Sequence, residues 1–67
     1  MDIRRRVEEN VKRLRAAAGL SQEQFAFEAD MHRTYVSGVE HGIRNPTLIV
    51  LDRMARALKV KPQDLLA

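Results

Sequence analysis

The chain has 67 residues, no cysteine and a formal net charge of +3, from 12 basic and 9 acidic side chains. That length holds one core, so residues 1–67 read as a single domain, and the lack of cysteine removes disulfides and thiolate metal sites and suits a reducing cytoplasm. No apolar run approaches membrane-spanning length, and the Glu8-Glu9 pair close behind the start argues against a signal peptide.

Asp2 is a capping residue for a first helix that runs to Ala18, with Gly19 as its terminator. Ile3, Val7, Val11, Leu14 and Ala18 fall on one stripe at helical spacing. The opposite side alternates charge, which predicts pairs of Arg4 with Glu8, Arg5 with Glu9, Glu8 with Lys12 and Glu9 with Arg13. The run Arg4 to Arg6 reads as a solvated face or as a phosphate contact; the paired acids favour the first.

Ser21 opens a second helix, with Glu23 and Gln24 suited to its positive end and to a reciprocal cap. Phe25, Ala26 and Ala29 form the buried stripe. Asp30 tolerates the left-handed conformation of a sharp turn, and Met31 can plug the angle that follows. From His32 the helical period restarts, with Val36 and Val39 inward and Arg33, Thr34, Tyr35, Ser37 and Gly38 outward. Gly42 supplies the stop.

A fourth helix starts at Thr47, after Asn45-Pro46, and directs Leu48, Leu51, Ala55 and Leu58 to the core. Pro62, suited to a first-turn position, opens a short fifth helix containing Leu65 and Leu66. Short loops join the elements, and there is no repeat, linker or low-complexity segment.

Two short helices joined at a tight turn, the second with an exposed Arg, Thr, Tyr and Ser, carry the chemistry that reads base edges and phosphates. Residues 21–42, SQEQFAFEADMHRTYVSGVEHG, resemble the helix-turn-helix of the Cro and phage-repressor family of bacterial transcription regulators. Gln22, Ala26, Val36 and Val39 fall on that family's helix-opening, small-contact and buried positions. Val39-Glu40-His41-Gly42 with Arg44-Asn45-Pro46-Thr47-Leu48 resembles its Ile-Glu-x-Gly … Asn-Pro-Ser-Leu stretch. Arg33 to Gly38 is especially similar to the recognition helix of restriction-modification controller proteins. The likeness runs from Val11 to Leu66, departing where Asp30 replaces the usual turn glycine and His32 the usual Ser or Thr cap.

The resemblance implies an all-α, lambda-repressor-like fold, a compact bundle of five helices with the second and third as the reading unit. It implies Arg33, Thr34, Ser37 and Tyr35 as base contacts, Tyr35 otherwise being a partly buried ring. Gln22, Arg44, Asn45 and Thr47 are candidate phosphate contacts; Gln22 otherwise only opens a helix, and Thr47 otherwise only caps one. Gly38 can offer no more than close backbone approach to DNA. Arg15 and Glu40 match an inter-helix ion pair of phage repressors.

The chain carries more aliphatic residues than one small core can use. Ile49, Val50, Val60, Pro62 and Leu66 are therefore the expected face of a homodimer. A core this small supplies no more than about 3–5 kcal/mol, so a second copy would help.

Catalysis has no support: His32 and His41 are too far apart along the chain for metal-ligand spacing, and there is no phosphate loop or activated-nucleophile motif. No cofactor, membrane or small-molecule ligand is implied. The expected function is a cytoplasmic, nucleoid-associated, sequence-specific regulator binding double-stranded DNA as a homodimer on a pseudo-palindromic operator. The rival is an antitoxin or other interaction module whose main ligand is a protein.

Overall fold

The computed structural model describes residues 2–67. Four α-helices, α1 (Ile3–Ala17), α2 (Gln22–Glu28), α3 (Arg33–Glu40) and α4 (Leu48–Leu58), are followed by a single 3-10 turn, Pro62–Leu65. The described residues contain no strand. The expected fifth helix is thus one tight turn: Pro62 opens it as expected, but four residues close too few hydrogen bonds to sustain an α-helix.

Three of the four α-helix starts carry a side-chain cap. The Asp2 carboxylate accepts from the Arg4 amide at 2.9 Å, Ser21 Oγ from the Gln24 amide at 3.0 Å, and Thr47 Oγ1 from the Val50 amide at 3.2 Å. Gln24 returns the favour, its Oε1 accepting from the Ser21 amide at 2.8 Å. Such caps contribute about 1 kcal/mol apiece. His32 makes no side-chain cap to α3, so the helix start relies on its surroundings.

The core joins Val7 and Val11 of α1, Phe25 and Ala26 of α2 with its C-cap Ala29, Val36 and Val39 of α3, Leu51, Met54, Ala55 and Leu58 of α4, and Leu65 of the final turn. Full burial of a side chain such as Phe25 is worth about 1.5–3 kcal/mol. Met54 is fully buried, a position the sequence reading left out. On α4 the stripe is Leu51, Met54, Ala55 and Leu58, the spacing of one helix face. Leu48, expected in the core, is 81% exposed, because a turn earlier α4 has run past the elements that cover it. Ile3 is likewise 51% exposed and Ala18 is an exposed C-cap, so the buried stripe of α1 is shorter than its periodicity suggests.

The charge ladder on α1 also differs. Arg5 pairs with Glu9 at 3.5 Å, but Arg4 turns back to Asp2, Nη2 to Oδ2 3.0 Å, instead of reaching Glu8. The cap carboxylate already holds the Arg4 amide, so the guanidinium meets an acceptor that is already ordered. Hydrogen bonding from Arg4 lowers the Asp2 carboxyl below its ordinary range. Arg13 donates to Asn10 Oδ1 at 3.2 Å, and neither the Glu8–Lys12 nor the Glu9–Arg13 pair forms among the described residues. Asn10 is buried and unforeseen. Its Nδ2 donates to the carbonyls of Leu65 at 3.1 Å and Ala67 at 2.9 Å, fastening the final turn to α1.

Candidate nucleic-acid interface

The turn between α2 and α3 spans Ala29, Asp30, Met31 and His32 and has one left-handed position. Asp30 has φ +57°, as the sequence suggested. The Asp30 amide donates to the Phe27 carbonyl at 3.2 Å and the Met31 amide to Ala26 at 2.9 Å, closing α2. Met31 is half-buried against the core. A long-range clamp completes the turn: Arg53 of α4 donates to the Ala29 carbonyl from Nε at 3.2 Å and Nη2 at 3.0 Å, and Nη2 also meets the Asp30 carbonyl. No local pattern in the sequence points to Arg53. Its partners are backbone oxygens 23 and 24 positions away.

The far end of α3 is held by a charged network. Glu40, 1% exposed, receives Arg15 Nε at 2.6 Å on Oε2 and Arg15 Nη2 at 3.0 Å on Oε1. Arg15 Nη1 donates to the Leu20 carbonyl at 2.7 Å. Gln22 Nε2 donates to Glu40 Oε1 at 3.1 Å. The ion pair expected from the resemblance is therefore formed, and Gln22 belongs to it. That hydrogen bond leaves the second amide hydrogen of Gln22 and its backbone N–H for an outside ligand.

Between these two anchors α3 buries Val36 and Val39. Arg33 and Thr34 are exposed on the first turn, Ser37 and Gly38 are intermediate, and Tyr35 is half-buried with its ring packed against the core. Ser37 and Arg33 are four apart and share a face. The Ser37 carbonyl and His41 Nδ1 lie 2.7 Å apart, so that ring nitrogen carries the proton and donates.

Gly42 ends the helix in the left-handed region at φ +72°, and a Cβ there would stand 2.7 Å from Glu8 Oε2. Arg44, Asn45 and Thr47 follow in an exposed loop, Thr47 doubling as the cap of α4. The close neighbour of Gly38 within the chain is the Arg44 side chain.

Of the five residues expected at a dimer face, Ile49 is 75% exposed and Pro62 is also exposed. Val50, Val60 and Leu66 are partly buried and packed against their own core, because α4 and the final turn cover each other. The larger free apolar side chains there are Leu48, Ile49 and Ile3, and a shallow depression runs between Ile3, Val7, Pro46, Leu48, Leu51 and Leu66. Phe27 and Ile43, 83% and 79% exposed, are further aliphatic or aromatic surface that periodicity did not expose.

Residues 11–65 match the helix-turn-helix family. The chain belongs to the helix-turn-helix family. Among its relatives is control protein C.BamHI of Bacillus amyloliquefaciens, 44% identical over 59 residues, covering 87% of this chain and 73% of that protein. The restriction-modification controller protein C.AhdI of Aeromonas hydrophila superposes with a TM-score of 0.87 at 42% identity, covering 90% of this chain and 91% of that one. A third similar protein, the restriction-modification controller protein C.Esp1396I, was solved as a tetramer in complex with its natural 35 base-pair operator. It matches with a TM-score of 0.86 at 27% identity, over 100% of this chain and 99% of its own. No helix of this helix-turn-helix protein, among the described residues, is long and apolar enough to cross a membrane.

Proposed function

We propose that this chain is a sequence-specific regulator of transcription that binds double-stranded DNA as a homodimer, laying α3 in the major groove of each half of a pseudo-palindromic operator. The observation that carries the reading is the way α3 is held. It is fixed at its start by the Arg53 clamp on the preceding turn and at its end by the buried Arg15–Glu40–Gln22 network, while Arg33 and Thr34 stay uncovered. A rigid helix with free polar side chains on its first turn is what base-edge readout needs.

In this reading Arg33, Thr34 and Ser37 face base edges, and the Tyr35 hydroxyl reaches past its half-buried ring to a base step or phosphate. Gln22, Arg44, Asn45 and Thr47 meet the phosphates that flank the groove, supported by the free amides of the α4 start. The chain acts in the cytoplasm, on the nucleoid, as one DNA-binding domain and without catalysis of its own. The C.Esp1396I complex supports assembly of more than one copy on a single operator.

Selection from a pool of random duplexes tests the proposal. A two-fold-related motif with half-sites about one helical turn, roughly 34 Å, apart is expected. Recovery of no motif, or of an asymmetric one, counts against it.

A further inference from the structure

Gly38 stands inside α3, where the backbone does not call for glycine. The left-handed glycines among the described residues are Gly19 and Gly42, at φ +73° and +72°, while Gly38 keeps helical geometry. Glycine weakens a helix interior relative to alanine. What it supplies at this position is space. A Cβ on Gly38 would stand 2.5 Å from Arg44 Cγ, with Arg44 Cβ at 3.5 Å and Cδ at 3.7 Å. The aliphatic stem of Arg44 therefore lies across the bare backbone of the recognition helix.

The same residue holds the arginine from the other side. The Gly38 carbonyl accepts from the Ile43 amide at 2.8 Å and from the Arg44 amide at 3.1 Å. Main chain and side chain of Arg44 are thus both seated on one glycine. The ion pairs among the described residues engage Arg4, Arg5, Arg15, Arg53 and Arg56, leaving the Arg44 guanidinium unclaimed. Thr34 lies one helical turn before Gly38 on the same side of α3, so a stem crossing at Gly38 starts its cation from the reading face.

We propose that Gly38 is a positioning residue for DNA binding: its missing side chain is the seat that holds the Arg44 stem against the recognition helix and aims the guanidinium at the duplex backbone. The proposal rests on the reading of Arg44 as a phosphate contact. Any β-carbon at position 38 evicts the stem and returns the cation to the rotamers of a free loop arginine, whose ordering must then accompany binding.

Binding of the wild type, Gly38→Ala, Arg44→Ala and the double variant to a mixed-sequence duplex, followed across salt concentration with thermal melting of each, tests this. Alanine is the better helix former, and rotation about the Arg44 Cα–Cβ bond moves the displaced Cγ, so Gly38→Ala should stay folded, its gain in helix propensity offsetting the shift of the arginine stem. It should nevertheless bind more weakly, with the slope of log K against log salt reduced by up to about 1 per monomer, as for one lost phosphate contact. Added to Arg44→Ala it should change nothing more. NOEs between the Gly38 α protons and the Arg44 γ protons are expected in the free wild-type protein, and their absence overturns the seat whatever the variants do. Gly38→Ala binding like wild type while Arg44→Ala loses slope overturns the seat alone. Losses that add in the double variant do the same, since Gly38 then acts by another route. An unchanged slope in Arg44→Ala overturns the phosphate reading, and the proposal with it.

Discussion

Arg15 and Glu40 make a two-point ion pair beneath the end of the recognition helix, 2.6 Å from Nε to Oε2 and 3.0 Å from Nη2 to Oε1. Glu40 is 1% exposed, and its side chain is among the largest that are fully buried. Removing one partner strands a buried charge. Breaking such a pair costs about 3–5 kcal/mol, whereas replacing both members with apolar groups is often neutral. Glu40→Ala should therefore remove most of the stability of a domain this small, and Arg15→Met with Glu40→Leu should recover a large part of it. Urea denaturation of the three variants checks this; equal losses in the single and double variants would show that the pair is not the source.

Arg33 is exposed on the first turn of α3 and takes part in none of the ion pairs among the described residues. As a bidentate donor to guanine it should supply about 1–3 kcal/mol of discrimination. Arg33→Ala is expected to flatten preference at one position of each half-site, read by competition between single-base operator variants. A uniform loss across all sequences would instead assign it to the phosphates.

The Arg53 clamp links α4 to the turn that aims α3. Loss of its hydrogen bonds to the Ala29 and Asp30 carbonyls should cost about 1–3 kcal/mol, since the Ala29 carbonyl lies partly shielded from water. Arg53→Met keeps most of the aliphatic stem while removing the donors. We expect a lower melting temperature together with faster amide exchange at Asp30 and Met31, against unchanged exchange at Leu14. Uniform acceleration along the chain would mean that Arg53 contributes to global stability and not to the turn.

Leu48 and Ile49 are 81% and 75% exposed at the start of α4. Because neither is spent on the core, charged replacements there separate association from folding more cleanly than changes at Leu66, which packs against the core. Leu48→Asp with Ile49→Lys should shift sedimentation toward monomer and weaken operator binding while the helical circular dichroism persists. A doubly changed protein that stays dimeric places the interface elsewhere.

Local chemistry determined much of this protein. The caps Asp2, Ser21 and Thr47, the left-handed Asp30 and the stop at Gly42 depend on interactions within a few residues, and the helical spacing of Phe25/Ala26 and Val36/Val39 marks a buried face, so a linear pattern carries them. The polar outer side of α3 was legible for the same reason, and the resemblance to known regulators supplied its meaning. Tertiary structure decided what periodicity leaves open. Helical spacing says which residues share a face but not where a neighbouring element stops covering it, hence Leu48 and Ile3 in solvent and Met54 in the core. The partners of long polar side chains were decided there too. Arg53 reaches a carbonyl 24 positions away and Asn10 one 55 away, contacts that exist only once the helices have docked. Gly38 belongs with these: its composition suggested an open backbone, and only the folded loop brings Arg44 across to use it.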